Sequence, residues 1–348
     1  MSEPLSTGLI ADPEVVPRRG SDALRRLASK AGGGLGGALA ILLVLMVAFT
    51  IASPDYLSVG NLVNILRQYS FILILAVGQT LVIITAGIDL SVAATAALSG
   101  SVMGVAYAHH GLPAWVAIGL GLLSGFAVGL INGTAIAWWK VPDIIVTLGM
   151  LTAVRGVALV VTDGLPVPDF SQAVEGRRIP DVVATLGTSN VAGVPLIIVV
   201  AAVCCLFGWY VLNRTRLGRS IVAVGGNRQA AHVSGIDVNR TKIAVYAISG
   251  LLAAVAGMVL AGRLNSANAL MASGNELDTI AAVVIGGTAL FGGEGRISGT
   301  VVGVFIMGVL ANGLNILGVS DFYQRIVNGL IIVLVVAVDQ WRRRRAAR

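Results

Sequence analysis

Long apolar stretches joined by short polar ones recur along this chain, and few folds survive that constraint. Apolar runs lie at about 34–52, 68–87, 91–109, 113–138, 142–162, 194–213, 243–262, 277–292, 299–317 and 323–341. Most are close to the roughly 20 residues that carry a helix across the hydrocarbon core of a bilayer. Lipid offers the backbone no hydrogen-bond partners, so a crossing segment must satisfy its own, and an α-helix does so internally. Only 12% of the 348 residues are charged, against about a quarter in a soluble domain, too few to cover a water-facing surface. The expectation is an all-α, polytopic protein with about ten transmembrane helices. It leaves no room for a soluble catalytic domain. The runs at 91–109 and 277–292 are rich in small and hydroxyl-bearing residues, which suits helices buried among others rather than facing lipid.

The basic residues test the alternation of these spans, because Lys and Arg accumulate on the cytoplasmic side. With the N-terminus inside, 18 of the 24 Lys and Arg fall on inner segments, five on outer ones, and Arg155 lies within a span. The inner set includes Arg18, Arg19, Arg25, Arg26 and Lys30, then Lys140, then Arg214, Arg216, Arg219, Arg228, Arg240 and Lys242, and finally Arg342–Arg345 and Arg348. Both termini are therefore expected in the cytoplasm. The domain map is a cytoplasmic tail over 1–33, a membrane domain over 34–341 with an inner loop at 214–242, and a basic tail over 342–348. The first apolar run reads as a retained anchor. The net charge of +7 follows from topology, and no nucleic-acid partner is implied. A long outer segment, about 163–193, reads as functional or disordered by its length.

Glycine is unusually abundant, at 44 residues. Between membrane helices, small residues allow close backbone approach. Gly121, Gly125, Gly129 and Gly133 recur every four residues, which places them on one helix face and predicts a tight helix contact. Cys204 and Cys205 are adjacent in an apolar run and read as packing residues, since neighbouring positions in a helix do not suit a structural disulfide. No Gly-x4-Gly-Lys-Ser/Thr phosphate loop occurs, and the glycine-rich stretch 286–295 lacks the lysine and hydroxyl that hold phosphate and magnesium. The absence of His-Glu-x-x-His and Cys-x-x-Cys pairs argues against a metal site. No Gly-x-Ser-x-Gly elbow is present either.

Polar groups within apolar segments are costly and tend to face the bundle interior. Arg155 lies mid-span, and Asp89 sits in Gly87-Ile88-Asp89-Leu90-Ser91 between the second and third runs. With Gln79, Thr80 and Ser91, these are candidates for a translocation pathway or for structural polar contacts. Asp89 is also a candidate cap for the third span, and an Asp89–Arg155 pair would neutralise both charges. Thr85, Asn132, Asn312 and Asn315 are further hydrogen-bonding groups within the apolar runs.

One inner segment is more specific. Thr215…Gly218-Arg219 is followed by Ala223-Val224-Gly225-Gly226-Asn227, then Ala230-Ala231, then Ser234-Gly235-Ile236. This set resembles the cytoplasmic loop of ribose-type permeases of ATP-binding cassette (ABC) importers, with branched-chain amino acid permeases more distantly similar. Ala76–Ile83, Gly87–Val92, Arg155-Gly156 and the 286–300 glycines with Thr300 resemble the same family. The likeness spans about residues 60–340.

The resemblance implies a permease subunit rather than an enzyme. It would form a pathway with a second permease chain, as a homo- or heterodimer. Gly225, Gly226, Asn227, Ala230, Ala231, Ser234, Gly235 and Ile236 would form the loop that couples to an ABC ATPase. ATP and Mg²⁺ would be used by that partner, and no cofactor would be bound by this chain. A periplasmic or lipid-anchored sugar-binding protein would deliver a monosaccharide. The location implied is the inner membrane of a bacterium. From the residues alone, Asn227 is expected to cap a short helix, and the small residues after it let that helix seat against a partner.

Overall fold

The computed structural model describes residues 35–169, 171, 176 and 178–346. The tail over 1–33, with its five basic residues, lies outside them, as do Arg177 and Arg348. The chain is an all-α, polytopic membrane protein, with one hairpin of two-residue strands among the described residues. In order, the helices are α1 (Leu35–Ala52), α2 (Val59–Ile84), α3 (Val92–Ala108), α4 (Ala114–Trp138), α5 (Asp143–Val161), α6 (Asp181–Thr188), α7 (Leu196–Arg214), α8 (Arg216–Gly226), α9 (Arg228–Val233), α10 (Val238–Leu264), α11 (Asn275–Ile285), α12 (Ile297–Ile316) and α13 (Asp321–Ala346). A short 3₁₀ turn, Pro54–Leu57, precedes α2, and β1 (Asn190–Val191) pairs with β2 (Val194–Pro195) before α7.

Among the described residues, seven helices are long and apolar enough to cross a membrane: α1, α2, α4, α5, α7, α10 and α12. The apolar α3 is shorter, at 17 residues. The run expected at 277–292 is only half a span. α11 has 11 residues, about 16 Å at the α-helical rise, against a hydrocarbon core of about 30 Å. The chain then leaves helical geometry at Gly286–Gly287, where Gly287 takes φ +89°, a region that only glycine enters without cost. At its end the chain departs from the expected boundary at residue 341. α13 runs on to Ala346 through Arg342–Arg345, as good helix formers favoured at a helix C-terminus allow.

α2 and α10 form the buried centre. From Ser70 to Ile84 every residue of α2 is buried, and most of α10 is too. The four spaced glycines of α4 meet α10 and α3, as their spacing predicts. A Cβ on Gly129 would strike the Tyr246 carbonyl oxygen, and one on Gly125 would lie 2.6 Å from the Gly250 carbonyl oxygen. Gly133 lies against Ile243 Cα, at 2.7 Å from such a Cβ. Gly250 answers from α10, where a Cβ would meet the Gly125 carbonyl. α11 and α12 approach as closely, through Gly286 on Gly299 and Gly303 on the Ala282 carbonyl.

The basic loops gather at one end of this bundle, called here the basic end. At the opposite end the long segment after α5 is ordered where described. Val167 and Ala267 exchange backbone hydrogen bonds of 2.7 and 2.8 Å, and α6 lies on the end of α10 through Gly187 against Gly262 and Arg263.

Gly129→Val and Gly250→Val are expected to force α4 and α10 apart. Overpacking of this kind costs about 1–3 kcal/mol, so the melting temperature of the detergent-purified protein should fall. Gly119→Ala is the control on the same helix, because nothing lies within 4 Å of its Cβ position. Equal melting temperatures for all three would contradict the close packing described.

Candidate functional site

The basic end carries a small structural unit between α7 and α10. Thr215 opens it. Its Oγ1 accepts from the Gly218 N–H at 3.2 Å and caps α8. α8 buries Gly218, Ile221 and Val224. After Gly225-Gly226 the chain turns, and Asn227 Oδ1 accepts from the Ala230 N–H at 2.9 Å, so Asn227 is the N-cap of α9, as its position in the sequence implies. The far end is a Schellman cap: Gly235 takes φ +81°, its N–H donates to the His232 carbonyl at 3.0 Å, and the Ile236 N–H donates to the Ala231 carbonyl at 3.0 Å. Ala231, Val224 and Val238 form a small core beneath, with Ile236 packed against it. Asp237 then caps α10 through the Arg240 N–H at 2.9 Å. The Ser-Gly-Ile sequence is thus the C-terminal stop of a very short helix, and Ala231 is its buried footing.

The outward side of this unit is Gly226, Asn227, Arg228, Gln229, Ala230, His232, Val233, Ser234 and Gly235, all exposed. Val233 is 87% exposed, a large apolar side chain on a face otherwise polar or small. Sequence reasoning passed over Val233. Lys140, from the loop between α4 and α5, shares a concavity of about 920 Å³ with Arg228, His232, Val233 and Ile236.

Two glycine turns join this unit to the bundle. A Cβ on Gly225 would collide with the Ile84 carbonyl oxygen, at the end of α2. That same oxygen accepts from the Gly293 N–H at 2.9 Å. Gly292 and Gly293, at φ +87° and +83°, lie in the segment between α11 and α12 and touch Ala86 and Gly226. The C-terminal end of α8 and the irregular segments 85–91 and 286–296 therefore meet through backbone.

Next to that meeting point lies a buried polar cluster. Asp89 Oδ1 accepts from the Ser91 N–H at 2.9 Å and from the Ser91 hydroxyl at 2.6 Å, and Oδ2 accepts from Ser249 at 3.3 Å. Asn132 donates to Ser91 Oγ at 2.8 Å. The Gln79 amide, turned so that nitrogen and oxygen both find partners, donates to the Asp89 carbonyl at 3.1 Å and accepts from the Asp89 N–H at 3.3 Å. Thr147 donates to the Ile88 carbonyl at 3.0 Å. Thr80 and Thr300 share a hydrogen bond of 2.6 Å between α2 and α12. Gln79, Thr80, Asp89 and Ser91 are all buried in the interior of the chain. Asp89 does not cap α3: the N-cap is Ser91, with no side-chain cap hydrogen bond, and the Ser91 N–H that Asp89 holds lies just outside the helix.

Arg155 stands apart from this cluster. The carboxylate of Asp89 is committed to two serines, and Arg155 Nε and Nη2 have no hydrogen-bond partner among the described residues, so the Asp89–Arg155 pair does not form. The buried ion pair found among the described residues is one that sequence reasoning missed. Lys242 Nζ meets Asp143 Oδ2, and the Tyr246 hydroxyl donates to the same oxygen at 2.8 Å. Gly87 packs on this group, where a Cβ would lie 2.5 Å from Asp143 Oδ2. Lys242 opens the run that becomes α10 and looked like a topology signal alone. Nothing in its local sequence points to Asp143, which is 99 residues away.

Comparison with known proteins shows which family this bundle belongs to. The model of the branched-chain amino acid transport system / permease component family matches residues 61–336. The chain belongs to this permease family. It is 45% identical over 302 residues to the ribose import permease protein of Escherichia coli strain K12, covering 86% of this chain and 92% of that protein. It is 41% identical over 299 residues to the ribose import permease protein of Bacillus subtilis strain 168, covering 86% and 90%. It is 36% identical over 361 residues to the xylose transport system permease protein of E. coli K12, covering 88% and 92%. No solved structure matches the chain.

Lys242→Met is expected to destabilise the protein by about 3 kcal/mol or more, because it strands the Asp143 carboxylate without its cation. Asp143→Asn with Lys242→Met removes both charges and should recover much of that loss. Chemical denaturation of the purified protein measures both. A double variant no more stable than the single would show that the pair does not carry the effect.

Proposed function

We propose that this chain is the membrane subunit of an ABC importer for a monosaccharide of the ribose or xylose kind. The observation that carries the reading is the capped α8–α9 unit, whose exposed outer face is polar or small apart from Val233 while its Gly225 contacts the Ile84 carbonyl of α2. An exposed Val233 beside Ala230 and Gly235 suits the groove of a partner protein. The 45% identity to a ribose import permease over most of both chains supports the substrate class.

In this reading the basic end faces the cytoplasm of a bacterium, with both termini there and about ten passages through the inner membrane. α3, the half-length α11 and α13 would complete that count. A second permease chain completes the pathway. An ABC ATPase seats on α8–α9 and supplies the ATP and Mg²⁺ chemistry, while a sugar-binding protein delivers substrate at the opposite end. ATP can drive transport only by favouring one conformation of the assembly over another. The contact of Gly225 and Gly293 with Ile84 is the route by which a displaced docking unit would move α2. The cluster around Asp89 keeps the 85–91 segment in a fixed shape during that motion.

Ala230→Trp and Val233→Asp test this reading, since both side chains are exposed and lie outside the small core beneath α9. Each should lower ATP-dependent uptake of labelled ribose or xylose at least tenfold in cells carrying the whole transporter. The amount of chain in the membrane should not change. Gly235 is unsuitable as a probe, because its positive φ makes any substitution a defect of α9 itself. Uptake at the parent rate in both variants would count against docking at this face. Import of labelled leucine in place of a sugar would move the substrate to the branched-chain amino acids.

A further inference from the structure

A second cavity lies at the opposite end of the bundle. Its volume is about 370 Å³, within the roughly 300–1,000 Å³ typical of small-molecule sites. It is walled by the first half of α2, the start of α11, the end of α12 and the start of α13, with Gln68, Tyr69, Asp278, Asn315, Arg325 and Asn328 among its lining. We infer that this cavity receives the monosaccharide as it enters the chain. The inference rests on the sugar-permease reading above and assigns that reading a place.

The chemistry of the walls carries the argument. Amide side chains come from all four helices: Gln68 from α2, Asn275 from α11, Asn315 from α12 and Asn328 from α13. An amide both donates and accepts, which is what a ring of hydroxyls requires, since each hydroxyl also does both. Some of this capacity is already used. Asp278 accepts from Asn275 at 3.3 Å and from Asn328 at 3.2 Å. Gln68, Tyr69 and Asn315 make no side-chain hydrogen bond among the described residues. Their polar atoms are left for whatever fills the cavity, and Tyr69 adds an aromatic surface. Asp278 and Arg325 bring one charge of each sign, so the walls select neither an anion nor a cation. A neutral polyhydroxy solute fits this balance better than an ion of either sign or a lipid chain. The apolar groove on the bundle flank, lined by Leu66, Leu73, Leu206 and Phe305, offers the contrast. It presents almost nothing to a hydroxyl.

The position of the cavity also connects it to the docking unit. α2 bears Gln68 and Tyr69 near one end and Ile84, the residue touched by Gly225 and Gly293, at the other. α12 bears Asn315 at one end and begins just after Gly293, and Thr300 ties it to α2. A shift of the docking unit therefore reaches two of the four walls.

The test uses the assembled transporter in proteoliposomes, with its ATPase and binding protein. Gln68→Cys and Asn315→Cys are made separately in a Cys204→Ala, Cys205→Ala background and treated from the outside with a bulky, charged methanethiosulfonate reagent. Labelled D-ribose and D-xylose are the probes. Modification should lower uptake at least tenfold, and ATPase activity should stay within twofold of the unmodified protein. Gln68→Leu with Asn315→Leu should lower uptake by a similar factor at unchanged abundance. The two cysteines sit on different helices, so failure of one variant to assemble leaves the other to decide. Uptake within twofold of the parent after complete labelling, confirmed by mass, overturns the inference while leaving the sugar-permease reading intact. If the parent imports neither sugar, that reading fails, and the assignment of this cavity fails with it.

Discussion

A helix that stops inside a membrane bundle must find partners for its backbone there, because lipid supplies none. The interior of this protein is organised around that requirement. α2 ends within the bundle, with Ala86 held at φ +56°, and the backbone there and in the 85–91 segment that follows is satisfied by side chains and backbone of other segments. Gln79 takes both backbone groups of Asp89, Thr147 takes the Ile88 carbonyl, and Gly293 takes the Ile84 carbonyl. The Asp89 carboxylate is drawn into the same task through Ser91 and Ser249. The polar residues of the core are thus the counterpart of broken helices, and their burial follows from where those helices break.

Much of this was legible in the sequence. Apolar run lengths located nearly every long helix, and the four-residue glycine spacing of α4 foretold the face that meets α10. Asn227 announced its own cap, because a short polar side chain before a helix has few other uses. What escaped the sequence depended on distance along the chain or on backbone angle. The 277–292 run has the composition of a span, and only the positive φ at Gly287 shows that the helix ends after 11 residues. Asp89 and Arg155 look like natural partners when charge alone is counted, yet the nearby Ser91 and the distant Ser249 hold the Asp89 carboxylate. Lys242 and Asp143 meet across 99 residues, and no local pattern encodes such a meeting.

The short α8–α9 motif shows how unevenly structural demands fall on neighbouring residues. Gly225 is required by its contact with the Ile84 carbonyl and Gly235 by its left-handed backbone, while Ala231 fills the core beneath α9. Those demands exist without any partner. Ala230, Val233 and Ser234 answer no such demand and lie on the outside. A motif recognised as a unit therefore divides into residues that hold the α8–α9 unit together and residues left exposed on its outside.

The glycine contacts carry a mechanical consequence. Where α4 meets α10 and where α11 meets α12, backbone lies on backbone, and no layer of side chains is left to slide or change rotamer. Each pair is a welded block. α2 runs between the two blocks, touching one where Gly78 faces Ser249 and the other where Thr80 faces Thr300. Any rearrangement of the bundle would therefore fall to the seams along α2, between two helix pairs that hold together as units.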